Sequence, residues 1–216
     1  MKEGVDGVIK FDQKLISGEP FQWGEIAELE LWRALFFQEG LIGVNPNGVG
    51  YGNVSKRWKE GGFLVTGSQT GHMALMSGRS YSRVINYDLS SDSLVSSGPI
   101  KASSESPTHW ALYEISQDIN FVFHSHSPVM WKHCREFGIP MTREDVEYGT
   151  PAMAEEVQRL YRETRVRDLG ILIMGGHQDG MMTFGRTSLE AGTRMMKYFF
   201  KSRVARRMDQ LKRKVS

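Results

Sequence analysis

The chain has 216 residues, 24% of them charged, with a net charge of +2. That length lets a fold bury about 70% of its extended surface without staples. One cysteine, Cys134, excludes an intramolecular disulfide framework and fits a reducing compartment, so the cytoplasm is the expected location. The start MKEGVDGVIKFDQKL has no apolar signal-peptide core and no apolar run approaches roughly 18 residues, so a soluble chain without a membrane partner is expected.

Residues 25–39, EIAELELWRALFFQE, put Ile26, Leu29, Trp32, Leu35 and Phe36 at helical spacing, with Gly40 and Gly43 as stops. An amphipathic helix is predicted there. NPNGVGYGNVSKR is rich in turn formers ahead of a strand in FLVTG, and SRVINYDL is a further alternating apolar run. Glu105 to Ser116 reads as helix and 119–126 as strand, and Pro128 stands where a first-turn proline would open a helix over VMWKHCREF. Thr150 and Pro151 announce the helix AMAEEVQRLYRET. GILIMGGHQDGMMTFG reads as two strands around a tight turn, and TSLE at 187–190 as the capping box of a last helix.

Helices and strands mix without strict βαβ alternation, and the apolar stretches ILIM and NFVF suggest a sheet covered on both faces. The expected fold is a single α/β domain over 1–216, three layers α/β/α with a central, largely antiparallel or mixed sheet. No repeat, low-complexity segment or linker divides it. The end KSRVARRMDQLKRKVS sets Lys201, Arg203, Arg206, Arg207, Lys212, Arg213 and Lys214 against Asp209. Such charge suits either an anion-binding tail or a solvated helix end whose cations complement the helix dipole. Without aromatic interleaving or a nucleic-acid motif, the helix end is expected and no nucleic-acid partner.

The stretch FVFHSHSP carries the chemistry. Side chains two apart on a strand share a face, so His124 and His126 present two imidazoles side by side, half of a metal site. Imidazole suits Zn, Cu, Fe and Ni, and a catalytic zinc site takes three protein ligands with a fourth position open. Of the other histidines, His177 in MGGHQDGMM stands where a strand ends and paired glycines allow close approach, which suits a ligand on a rigid element. His133 on a helix reads as structural, His72 as a solvated loop residue, and His109 as the i+4 neighbour of Glu105 on one helix face. Glu105 follows two serines at a helix start, where the dipole favours a carboxylate. Beside a histidine site it could shuttle protons while a metal polarises a carbonyl.

GNVS at 52–55, VTGSQTG at 65–71, SSE at 103–105, HSH at 124–126 and GGHQDG follow one another in the order of the class II aldolase/adducin family, which the chain resembles over about 25–200. The resemblance implies His124, His126 and His177 as ligands of a divalent metal, normally Zn²⁺, with Mn²⁺, Co²⁺ or Fe²⁺ as substitutes. It implies Glu105 as catalytic acid/base, and Asn53, Thr70, Gly71, Ser103 and Ser104 as the cradle of a substrate phosphate, a fitting use of short hydroxyls and glycine-turn amides. A homotetramer around a fourfold axis is implied too, with active sites between subunits. Tyr198, the only tyrosine of the final helix, is a candidate for the tyrosine that the family often contributes from near its C-terminus.

The implied activity is retro-aldol cleavage of a small keto-sugar, a ketose 1-phosphate in the first instance, without a Schiff-base lysine. Lys56 and Lys101, nearest the motifs, read as surface residues. Glu105 argues against the epimerase branch, where aspartate is usual, but leaves open a dehydratase of the methylthioribulose-phosphate type. A noncatalytic adducin-like interaction module is the reading of another class, and the intact ligand set counts against it. One departure bears on substrate: the family loop usually reads Thr-Pro-Ser/Thr-Gly, whereas GSQ separates Thr66 from Thr70 here. A phosphate site not stiffened by proline is expected, for a sugar phosphate held differently or for a nonphosphorylated hydroxy-keto compound.

Overall fold

The computed structural model describes residues 8–133 and 135–215. Cys134, Ser216 and the first seven residues of the chain lie outside them. In chain order the elements are β1 (Asp12–Ser17), α1 (Trp23–Gln38), β2 (Gly43–Val44), β3 (Gly50–Tyr51), β4 (Asn53–Arg57), β5 (Phe63–Thr66), β6 (Tyr81–Asp88) and β7 (Ser93–Gly98). The second half holds α2 (Ser106–Ile115), β8 (Phe121–His126), α3 (Pro128–His133), α4 (Pro151–Glu163), α5 (Val166–Leu169), β9 (Ile171–Ile173), β10 (Gly180–Gly185) and α6 (Ser188–Val215).

Eight strands form one mixed sheet in the order β1-β7-β6-β5-β4-β8-β10-β9, with β2 and β3 pairing separately. The β1–β7 pair is parallel and the other neighbours are antiparallel. Alternation along β8 shows how the layers arise. Val122 joins a core cluster with Leu112 of α2 and Val157 of α4, while Phe123 joins one with Ile26 of α1 and Met195 of α6. Helices therefore cover both faces, and all six residues of β8 are buried. This is the expected three-layer α/β/α architecture, and among the described residues no helix is long and apolar enough to cross a membrane.

The caps explain most helix starts. Thr150 accepts the Met153 N–H at 3.3 Å and opens α4 as its sequence announced. At α6 Thr187 accepts the Glu190 N–H at 3.1 Å, but the Glu190 carboxylate takes the Arg186 N–H at 2.9 Å, so half of the predicted capping box forms and the other half slips by one residue.

Two expectations need correction. NPNGVGYGNVSKR is not all turn: it contains the β2–β3 pair and the whole of β4, which joins the sheet centre because β5 and β8 supply its hydrogen bonds. Ahead of α1, Asp12–Ser17 pairs with β7. The helix predicted over VMWKHCREF is described as α3 to His133, with Arg135–Gly138 in turn, where the Gly138 N–H returns to Arg135 and Gly138 takes φ +65°.

Candidate metal centre

β8 delivers His124 and His126 to one face, and the β9–β10 turn delivers His177. Donor atoms of the three imidazoles all lie within 4.8 Å of one another, and all three residues are buried. His124 Nε2 and His126 Nε2 are 3.1 Å apart. Two nitrogens about 2.05 Å from one tetrahedral cation lie about 3.3 Å apart, so the spacing fits a shared metal. The His124 Nδ1–H donates to the Met181 carbonyl at 3.0 Å, which leaves Nε2 with its lone pair toward the cluster. Burial and the neighbouring His177 and His124 hold His126 well below the ordinary histidine range, so its ring is neutral at pH 7 and ready to ligate.

Glycines make room for the cluster. A Cβ on Gly180 would meet the His177 ring at 3.2 Å and the His124 ring at 3.3 Å. On Gly176 it would meet the Val146 carbonyl oxygen at 1.8 Å, so the paired glycines let the segment before α4 close behind His177. That segment brings in Tyr148, whose ring stacks on His177 at 4.3 Å with 26° between planes. Lys10 sits on Tyr148, its ammonium 3.5 Å from the ring centroid and 2.7 Å from the Glu147 carboxylate. Tyr148 thus fixes the plane of a candidate ligand. Tyr148→Ala is expected to weaken zinc affinity by about 10- to 100-fold, measured against a chromophoric chelator, whereas Tyr148→Phe keeps it. Equal affinity in Tyr148→Ala would remove that role.

Glu105 stands at the N-cap position of α2 with φ −88° and ψ 4°, the sparsely allowed bridge conformation where many active-site residues sit. The turn is fixed by the Ser106 hydroxyl donating to the Ser103 carbonyl at 2.7 Å. It aims the carboxylate at the cluster: Glu105 Oε1 is 3.4 Å from His177 Nδ1, and Oε2 accepts the Thr108 hydroxyl at 2.9 Å. One cleft is lined by His124, His126, His177 and Glu105 and by every residue expected to cradle a phosphate, namely Asn53, Thr70, Gly71, Ser103 and Ser104. Asn53 pairs in register with His124, and its buried Oδ1 has no hydrogen-bond partner among the described residues, a polar atom left for a ligand. Gly71 can sit there only as glycine, since a Cβ would lie 2.2 Å from the Gly43 carbonyl oxygen.

The loop that lacks the expected proline is anchored by other means. Gly67 donates to the Ser80 carbonyl at 2.8 Å, Ser68 to the Lys101 carbonyl at 2.9 Å, and the Thr70 hydroxyl to the Gly67 carbonyl at 2.8 Å. Gln69 takes φ +59°, a costly backbone for a residue with a side chain, and lines the cleft.

The remaining histidines stay outside the cluster. His109 Nδ1 lies 2.6 Å from the Ser55 hydroxyl, which also meets the Tyr113 hydroxyl at 2.7 Å, and burial holds His109 well below its usual range. His109 and Glu105 share a helix turn, in which the His109 N–H donates to the Glu105 carbonyl. His133 is buried with Nδ1 2.9 Å from the Glu136 carboxylate, and His72 is exposed. Tyr198 is buried in the α1/α6 core, 6.4 Å between centroids from Phe137, and does not line the cleft. Lys101 is exposed, whereas Lys56 is half-buried and drawn down by burial. Lys56 stands two residues from Val54, on the face away from His124.

Sequence reasoning missed Tyr148, Tyr51 and Thr108. Tyr51 lines the cleft with its ring 5.4 Å from that of His126. Thr108, three residues after Glu105 in a helix, was the findable one.

Comparison with known proteins fits this geometry. No curated protein sequence matches the chain significantly. Among solved structures, L-fuculose-1-phosphate aldolase from Thermus thermophilus superposes with a TM-score of 0.63 at 22% identity, over 86% of this chain and 94% of that one. A sugar-phosphate aldolase from Thermotoga maritima gives 0.69 at 13% identity, over 87% and 96%. The N-terminal class II aldolase domain of a conserved protein from Thermoplasma acidophilum gives 0.58 at 16%, over 83% and 92%. These likenesses concern the fold alone. Residues 43–201 match the family described as the Class II Aldolase and Adducin N-terminal domain, most of the chain, and the protein belongs to that family.

Proposed function

We propose that the protein is a metal-dependent lyase that cleaves a small keto-sugar, a ketose 1-phosphate in the first instance, by a retro-aldol reaction. The observation that carries this is the convergence of three buried imidazoles and the Glu105 carboxylate on one polar cleft. Three nitrogen donors and an open side suit a catalytic divalent cation, zinc before manganese, cobalt or iron. Bound there, such an ion supplies Lewis-acid stabilisation of negative charge growing on a substrate carbonyl oxygen, worth several kcal/mol.

The chain's own residues do the rest. His124, His126 and His177 hold the cation, and the hydrogen bond from His124 to Met181 fixes which ring nitrogen faces it. Asn53, Ser103, Ser104 and the Thr70–Gly71 turn bind and orient the substrate's anionic end; the Thr70 hydroxyl proton is committed to Gly67, so the donors supplied by this turn are backbone amides. As the bond between the α and β carbons breaks, the β-hydroxyl gives up its proton to the Glu105 carboxylate and leaves as an aldehyde; the electron pair stays on the carbonyl fragment as an enediolate, and Glu105 returns the proton to its carbon. Thr108 holds the carboxylate in place meanwhile.

A panel of ketose 1-phosphates, with products identified by mass spectrometry, tests the reaction. Cleavage gives dihydroxyacetone phosphate and an aldehyde. Products lighter than substrate by one water would replace cleavage with the dehydratase reading, and no turnover by metal-loaded protein of any ketose would remove the lyase assignment.

A further inference from the structure

Glu30 and Arg33 lie one turn apart on α1, and both are buried, 2% and 1% exposed. Arg33 Nε and Nη2 donate to the two carboxylate oxygens of Glu30 at 2.8 and 2.9 Å, a two-point pairing that uses the planar fork of the guanidinium. A pair buried this deeply is tolerated when its other donors and acceptors are met as well. Here they are met by the chain that leaves the Thr70–Gly71 turn. Arg33 Nη1 donates to the Met73 carbonyl at 2.8 Å and Nη2 to the Ala74 carbonyl at 2.6 Å. Glu30 Oε1 accepts the Met76 N–H at 2.8 Å, and Oε2 accepts the Tyr81 hydroxyl at 2.7 Å. Burial and the Glu30 carboxylate push the Tyr81 hydroxyl far up, so it stays protonated as a donor.

This segment leads straight to the cleft. The Met73 N–H donates to the Thr70 carbonyl at 3.1 Å, and Thr70 and Gly71 line the cleft beside His124 and His126. His72, Ala74 and Leu75 are exposed, Leu75 at 76%, so the apolar packing of the segment comes from buried Met76 and half-buried Met73. Both Glu30 and Arg33 precede the family-matched region, residues 43–201.

We propose that the Glu30–Arg33 pair is a positioning element for the ligand-binding turn: it anchors residues 73–76 so that Thr70 and Gly71 face the histidine cluster, without itself touching the ligand. This rests on reading the turn as an anion site and adds what holds it in register.

Arg33→Lys tests it, because one ammonium keeps the charge but cannot grip Glu30 and both carbonyls at once. Inorganic phosphate, titrated calorimetrically into the protein, is the ligand probe, and amide hydrogen exchange is the readout that needs no ligand. In Arg33→Lys the Met73 and Met76 amides are expected to exchange about tenfold faster and phosphate to bind about tenfold more weakly, the worth of one or two hydrogen bonds to a charged group. The β8 amides and the metal content stay native. Arg159→Lys, which alters a Glu156–Arg159 pair of the same spacing on α4, leaves both readouts unchanged. Native exchange at Met73 and Met76, or acceleration spread equally over β8, overturns the proposal. Absence of phosphate binding by the unmodified protein refutes the anion reading alone, and the exchange result then decides the positioning role.

Discussion

Glu105→Gln, loaded with metal, is expected to turn over about 100- to 10,000-fold more slowly than the unmodified protein while keeping its metal. The exchange is nearly isosteric. A glutamine carbonyl can still accept the Thr108 hydroxyl that meets Oε2 at 2.9 Å, so the turn before α2 keeps its shape. What disappears is the proton: an amide neither takes one from a substrate nor returns one to a carbon at neutral pH. Glu105 is not needed to complete the three-histidine cluster, so metal content is the control that separates a lost acid/base from a collapsed site. Both quantities come from one preparation, turnover by product assay and metal by plasma mass spectrometry. Full activity in Glu105→Gln would refute the proton-transfer role.

His126→Ala is expected to lose metal and turnover together. Its Nε2 is 3.1 Å from that of His124, and its ring centroid is 4.5 Å from that of His177, so it is central to the cluster. Two imidazoles remain after the change, one short of the set a catalytic zinc site takes. The fold should tolerate the loss, since His126 ends β8 and its backbone N–H still donates to the Leu41 carbonyl at 2.9 Å. Zinc affinity is expected to drop more than about 100-fold, beyond what losing a supporting contact costs. Equilibrium dialysis measures it, and metal retained at the native level by His126→Ala would exclude this residue as a ligand.

Much of the candidate site was legible in the chain because its elements are locally decisive. The run FVFHSH is apolar until it reaches HSH, and so declares both a buried strand and two histidines on one face. GGH follows an apolar strand, and the close approach its glycines permit is realised at Val146. Thr150 with Pro151 caps a helix by chemistry that depends on few neighbours. Other parts carry no such signal. β4, with the sequence NVSKR, has a single aliphatic residue and is a strand because β5 and β8 flank it. β1 and β7, DQKLIS and SLVSSG, are polar and pair at the sheet edge, where one strand stabilises the other. Tyr148 reaches His177 from a distant loop, a contact that long-range packing makes and no local period announces. The Arg33 anchor was hidden for the same reason: its partners at Met73 and Ala74 are backbone carbonyls, which any residue type would offer.

The most direct test of the whole account is the metal content of the purified protein, by plasma mass spectrometry before and after reconstitution with zinc. About one equivalent of a divalent transition metal per chain is the predicted result, as one three-histidine cluster holds one ion. Protein that carries no metal and takes none up would contradict the proposed chemistry and make the chain an interaction module of the adducin kind.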